Sequence, residues 1–151
     1  MTPNLLPRVL PAAPGTYVLW LLVSGPLSVA AGRLGVVSLS PGWYAYIGSA
    51  QGPGGLRARV GRHLRPHKTQ HWHIDALTAA APVVAIWLEA SGESLECAWA
   101  ATLAAVPGVI APVAGFGASD CACRAHLLTV PDSARRPAWV ALENPVAMTW
   151  P

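Results

Sequence analysis

The stretch from Trp43 to His63, WYAYIGSAQGPGGLRARVGRH, holds a concentration of groups able to handle a phosphate ester. Side chains alternate along a strand, so Tyr44 and Tyr46 share one face while Ala45 and Ile47 take the other. A glycine-rich turn, Gly52-Pro53-Gly54-Gly55, follows and opens a helix bearing Arg57, Arg59, Arg62 and His63. At about 100° per residue, Leu56, Val60 and Leu64 form an apolar stripe, with Arg59, Arg62 and His63 along its flank. Flank side chains pack their stems and keep their charged heads in a groove, an arrangement suited to a phosphodiester. Core tyrosines beside an ordinary exposed basic helix are the structural alternative.

The charge distribution points the same way. Residues 1–74 carry seven cations and no acid, whereas residues 75–151 carry three arginines against seven acids, for a net charge of +3. Arg57, Arg59, Arg62, Arg65 and Lys68 crowd into twelve positions, interleaved and followed by His63, His67, His71 and His73. Clusters of this kind suit a phosphate backbone.

At 151 residues the chain is long enough for one domain with a core and short for two. Its uncharged runs, Val9 to Gly32 and Cys97 to Ser119, are interrupted by prolines and glycines and could not span a membrane as continuous helices. No apolar segment of signal-peptide type precedes the first prolines, so a cytoplasmic location, without membrane association, is the expectation. No internal repeat is visible.

The elements needed to position the chemistry read off in order. Residues 1–13 form a proline-rich arm. Gly15-Thr16-Tyr17 opens an apolar run to Val23 without polar alternation, as in a central strand covered on both faces. A hairpin around Gly32-Arg33 fills residues 24–42, and the Tyr44–Gly48 strand follows. After the basic helix, the sequence predicts a polar connection over 65–70, a helix beginning at His71-Trp72-His73-Ile74-Asp75 and ending near Pro82, and a buried strand over Val83–Leu88. Ser94 is the expected N-cap of a helix from Leu95 to Val106, stopped by Pro107-Gly108. Its stripe, Leu95, Trp99, Leu103 and Val106, places Glu96 near the positive end of the helix. Phe116 to Leu128 closes the core, and residues 131–151 form a tail without a recognisable pattern.

Taken together, Gly15-Thr16-Tyr17, Tyr46-Ile47-Gly48, Arg59 and His63 at helical spacing, and a downstream Glu96 resemble the GIY-YIG nuclease superfamily. The nearer likeness is to its small stand-alone branch, also found attached to endonuclease III, with the HWHID and SDCxCRxH stretches adding to it. The resemblance implies an α+β fold, a small and mainly antiparallel sheet flanked by helices, over residues 14–130. It implies a DNA endonuclease using one Mg²⁺ or Mn²⁺: Tyr17 and Tyr46 pointing into the site, Arg59 on the scissile phosphate, His63 assisting and Glu96 holding the metal. A phenol has an ordinary pKa of about 10, so a tyrosine base needs positive charge nearby, which Arg59 and His63 could supply. Tyr17 is the expected water-activating group, with His63 as its competitor. Arg57, Arg62, Arg65, Lys68, His71, His73 and Arg124 are the expected nucleic-acid contacts, with Ser119, Asp120 and His126 helping to line the groove. Three departures stand out: Thr16 in place of isoleucine, expected to be neutral; a longer spacing between the two motifs; and no counterpart of the family's late asparagine, since Asn144 lies in the tail.

Two other classes remain at this level. A non-catalytic nucleic-acid-binding module would keep the groove without turnover. A small zinc-binding protein would use Cys121-x-Cys123-x-x-His126 with Cys97 as fourth ligand, although paired zinc cysteines are usually spaced more widely. The alternative is a buried cysteine pair. Three cysteines in a cytoplasmic chain argue against a disulfide framework.

Overall fold

In a computed structural model, which describes residues 10–70, 72–118 and 121–148, the apolar run of the sequence becomes the middle of the sheet. Strand β1, Gly15–Val23, pairs antiparallel on one side with β4, Gly42–Ala50, and on the other with β5, Val83–Glu89. Strand β6, Leu127–Thr129, borders β4, and β7, Val146–Met148, borders β5. The order is β6-β4-β1-β5-β7, antiparallel throughout. The predicted hairpin is present as a separate two-stranded sheet, β2 (Leu27–Ala30) with β3 (Val36–Leu39), closed by a 3₁₀ turn at Gly32–Leu34.

Helices cover both faces, which is why β1 lacks polar alternation. Helix α1, Gly55–Leu64, and α2, His73–Ala80, lie on the face carrying Tyr17, Leu19, Leu21, Tyr44 and Tyr46, where Leu56, Val60, Ile74 and Leu77 are fully buried. Helix α3, Glu96–Ala104, and α4, Arg135–Ala141, cover the other face through Trp99, Leu103 and Ala138, packed against Val18, Trp20, Ile47 and Trp87. Trp20 and Trp87 meet edge to face, with ring centroids 4.7 Å apart. The result is the expected α+β fold, a five-stranded antiparallel sheet flanked by four helices.

Both ends of the chain depart from the sequence reading. Residues 131–148 belong to the fold: a 3₁₀ turn at Asp132–Ala134 leads into α4, and β7 supplies an edge strand. No apolar period marks this segment in the sequence, because α4 is two turns long and buries only Ala138 completely. At the other end, Leu10 is fully buried, while Pro11 and Ala13 carbonyls accept the Arg57 and Leu56 N–H groups. Those bonds satisfy donors that the first turn of any helix leaves unpaired.

Register carries the motif into space. Tyr17 pairs with Gly48, and a β-carbon at position 48 would lie 2.3 Å from both Cζ and Oη of the Tyr17 ring. The glycine of Tyr46-Ile47-Gly48 is thus the space in which Tyr17 lies. Replacing Gly48 with alanine is expected to displace that phenol and cost about 1–3 kcal/mol, the range for overpacking a tight site. Urea unfolding of Gly48→Ala checks this, and an unchanged midpoint would show that the ring has room to move.

Candidate functional site

Tyr17, Tyr46, Gly48, Ser49, Arg59, His63, Trp72 and Glu96 line one small cleft of about 110 Å³. All five residues proposed from the sequence as catalytic or metal-binding are therefore on its wall. Strands β1 and β4 contribute the phenols, α1 contributes Arg59 and His63 from successive turns, and Trp72 stands at the entrance to α2. Glu96 arrives from α3, which packs on the opposite face of the sheet; its position as the first residue of that helix lets it reach the cleft. Larger depressions exist, one of about 580 Å³ beside Leu64, Pro66, Ala80, Pro82, Ile86 and Met148. That wall is mainly apolar and gathers fewer ionisable groups.

Thr16 explains how α3 is aimed. Fully buried in an otherwise apolar strand, its hydroxyl accepts the Leu95 N–H at 2.9 Å and lies 3.4 Å from the Glu93 carbonyl. This bond fixes the residue just before Glu96. Threonine at this position makes a bond that an isoleucine could not, and Leu95, rather than Ser94, occupies the N-cap position. Ser94 instead faces Ser49, with their hydroxyl oxygens 3.2 Å apart.

At the centre, the Tyr17 hydroxyl and His63 Nε2 are 2.8 Å apart. Burial, reinforced by the neighbouring Tyr46 and by Glu96, raises the Tyr17 pKa well above its ordinary value despite the opposing Arg59 charge. Tyr46 is raised for the same leading reason. Burial also pushes His63 down to about 3, with Asp75 opposing and Arg62, Arg59 and Lys68 assisting. At neutral pH the pair is a phenol and a neutral imidazole, so the phenol donates to Nε2 and the ring proton belongs on Nδ1, a tautomer assigned from this network. Arg59 pulls the Tyr17 pKa in the expected direction, but burial is the larger effect, and a neutral His63 contributes no positive charge. His63 Nδ1 lies 4.0 Å from Asp75 Oδ1, too far for a hydrogen bond, and no described residue satisfies it.

Trp72 has no assigned role in the sequence reading, although its place between two histidines marks it. The Arg59 and Arg62 guanidinium carbons each sit 4.5 Å from the centroid of its ring. Arg59 also donates from Nη1 to the Ser49 carbonyl at 3.3 Å. Arg62 reaches both oxygens of the fully buried Asp75, at 2.8 and 3.0 Å, and the Thr69 carbonyl at 2.8 Å. Asp75 in turn accepts the Trp72 N–H, tying down the start of α2. Arg62 is therefore a structural fork, fastened to Asp75 and Thr69.

The remaining basic residues divide. Lys68 caps α1 through the His63 and Arg65 carbonyls, and Arg57 Nε donates to the Leu10 carbonyl. His73 Nδ1 accepts the Gly117 N–H at 3.1 Å while its ring meets Phe116, so this histidine positions a loop. Arg65 and Arg124 are exposed. His71, Ser119 and Asp120 lie outside the described residues.

Beside the cleft, Cys97, Cys121, Cys123 and His126 bring their ligand atoms within 4.8 Å of one another. His126 is buried; its Nδ1 is 2.6 Å from Glu96 Oε1, an ion-pair distance whose angle falls short of a full hydrogen bond.

The fold and cleft define an α+β domain with a buried phenol–imidazole pair, an arginine and a carboxylate around one small opening. Over residues 16–143 the chain matches the family model described as domain of unknown function DUF123, and it belongs to that family. No curated protein and no solved structure matches it.

Two measurements test this geometry. The unfolded chain takes up a proton on His63 near pH 6.5, which the folded chain refuses until about pH 3. The unfolded state binds more protons inside that window, so this contribution is complete above pH 6.5 and is lost as pH falls toward 3. Relative to His63→Gln, the wild type is expected to lose about 1 kcal/mol per pH unit between pH 6 and 4, read from urea midpoints; parallel curves for the two proteins would refute it. Separately, Thr16→Val keeps the shape but removes the partner of the Leu95 N–H, and is expected to cost about 1–2 kcal/mol, with Thr16→Ser recovering most of it. Equal midpoints for threonine and valine would exclude the anchoring role.

Proposed function

We propose that this protein is a divalent-metal-dependent endonuclease that hydrolyses DNA phosphodiester bonds at the Tyr17–His63–Arg59–Glu96 cleft, by likeness to GIY-YIG nucleases. The observation that carries this reading is the convergence of those residues, together with Tyr46, on one opening from four separate elements. A phosphodiester requires a deprotonated water, stabilisation of charge on phosphorus, and help for the leaving oxygen.

The donor set suits Mg²⁺ or Mn²⁺. Glu96 is the carboxylate of the cleft, and with Oε1 turned to His126 its other oxygen remains to hold a hard cation. Mg²⁺ commonly takes only one or two protein carboxylates and fills its shell with water and phosphate oxygens. When bound, such an ion supplies Lewis-acid stabilisation of the developing negative charge.

The chain's own residues account for the proton and the phosphate. His63 Nε2 is occupied by Tyr17, so the attacking water engages the pair at the phenol oxygen. Tyr17 accepts the water's proton as its own passes to His63 Nε2; the negative phosphate alongside offsets the imidazolium that burial otherwise disfavours, and that proton returns to solvent as the products leave. The hydroxide adds to phosphorus, one P–O ester bond breaks, and the departing oxygen takes a proton from solvent. Arg59, steadied by Trp72 and the Ser49 carbonyl, offers its remaining N–H groups to the phosphate oxygens. Exposed Arg65 and Arg124 extend the positive surface for the flanking backbone.

Nicking of single-stranded, duplex and branched DNA with Mg²⁺ or Mn²⁺ tests the proposal, with Arg59→Ala and Glu96→Ala compared against the wild type. Each variant is expected to lose at least about 100-fold in rate while retaining its circular dichroism spectrum. Equal cleavage by all three would expose a contaminant. Salt-dependent binding without products under any metal condition would instead favour a non-catalytic nucleic-acid-binding module.

A further inference from the structure

Among its described residues, the loop region between α3 and β6, 105–126, contains turns and one isolated bridge but no helix or longer strand. A connection of that length inside a small domain requires a fastening of its own. Part of it is visible: Gly117, at φ +72°, sits against the Tyr46 ring, where a β-carbon would come within 2.8 Å, and Phe116 is fully buried. The other part is the group of three sulfurs and one imidazole at its far end.

We propose that Cys97, Cys121, Cys123 and His126 hold one zinc ion in a tetrahedral site, and that Glu96 supports it from outside by holding His126 Nδ1. The ligand atoms are already gathered. Zinc bonds of about 2.3 Å to sulfur and 2.0–2.1 Å to nitrogen place tetrahedral neighbours about 3.6–3.8 Å apart. His126 Nε2 lies 3.5 Å from Cys121 Sγ and 4.0 Å from Cys97 Sγ, and the whole set spans no more than 4.8 Å. Closing onto an ion needs movements below 1 Å on this scale. The three cysteines are free, so no disulfide competes for the sulfurs.

The imidazole is also presented in the right sense. Its Nε2 faces the sulfurs while Nδ1 lies 2.6 Å from Glu96 Oε1 without hydrogen-bond geometry, the side from which a carboxylate orients a metal-bound histidine once the ring settles on the ion. The His126 backbone is locked, its N–H donating to the Phe116 carbonyl and its carbonyl accepting the Ile47 N–H. Sulfur and imidazole select zinc over magnesium, which separates this site chemically from the carboxylate cleft. Glu96 touches both places, since Oε1 lies against His126 and the residue also lines the opening. The zinc site stands whether or not the cleft cleaves DNA.

The experiment is metal analysis of the full chain purified under reducing conditions without chelator, followed by replacement with Co²⁺. One zinc per chain is expected, with thiolate-to-cobalt charge-transfer absorption on substitution. Cys121→Ser and Cys123→Ser should abolish the stoichiometric metal. Cys97 is exposed at the start of α3, so Cys97→Ser is the variant best able to keep the fold while losing the cobalt charge-transfer intensity of one thiolate. Glu96→Gln should keep zinc but bind it about 10–100-fold more weakly, as outer-shell partners of metal-bound histidines do. Folded chain that takes up neither zinc nor cobalt, stoichiometric iron in place of zinc, or cysteine variants that bind as tightly as the wild type would each overturn the proposal. Nicking assays on Cys97→Ser, with Mg²⁺ supplied, separate the two sites: a weakened cobalt band with retained cleavage supports a zinc site distinct from the cleft, and an unchanged cobalt band overturns the assignment of Cys97.

Discussion

The molecule depends on a close approach between two backbones. Tyr17 can lie flat across β4 only because position 48 has no side chain, and only in the register that places the two opposite each other. From that position its hydroxyl reaches His63 Nε2, and His63 is where α1 turns its flank toward the sheet. Shift the register by one residue and the phenol goes to the face of Trp20 and Trp87. Most other features of the cleft are consequences: Arg59 sits one turn before His63, and Trp72 is placed where both Arg59 and Arg62 stack on it.

Burial then decides the protonation states. The same desolvation that raises Tyr17 lowers His63, so the two settle as a neutral pair joined by one hydrogen bond. A charged pair would be the costlier arrangement in so dry a place, since each ion would lose its hydration. Asp75 does not alter this outcome, because its oxygens are committed to Arg62 and to the Trp72 N–H and stand 4.0 Å from the imidazole. In the proposed mechanism this neutrality is useful: the proton has a short path already laid, and no charge is buried until water is deprotonated.

Much of this was legible because it is local or periodic. The unbroken apolar run of β1 announced a doubly covered strand, and the stripe of Leu56, Val60 and Leu64 fixed which side of α1 faces the sheet. What the sequence could not display was partnership between distant residues. The tally of basic residues on and after α1 suggested a broad phosphate-binding surface, yet Arg62, Lys68 and His73 each serve a fixed internal partner, on Asp75, the carbonyls ending α1, and Gly117 respectively. A charge in a sequence carries no sign of whether its partner is solvent or a buried carboxylate. Thr16 gave a readable signal, a lone hydroxyl in an apolar strand, but its partner lies 79 residues away. The C-terminal segment failed for another reason: β7 is three residues long and gains its meaning from pairing with β5, which periodicity does not encode.

Glu96 shows why the order of elements matters more than their faces. Its helix belongs to the Trp20 side of the sheet, where Trp99 and Leu103 bury it, and a residue in the middle of α3 could not reach Tyr17. The first residue can, because β4 has reached Gly48 and the short edge strand β6 begins only at Leu127, so the sheet is narrow at that point. Thr16 holds the entry to α3 at this opening, and His126, immediately before β6, meets Glu96 across it. A carboxylate here feels the positive end of its own helix from one side and the histidine from another. Position within the fold thus places the acid and sets its direction together.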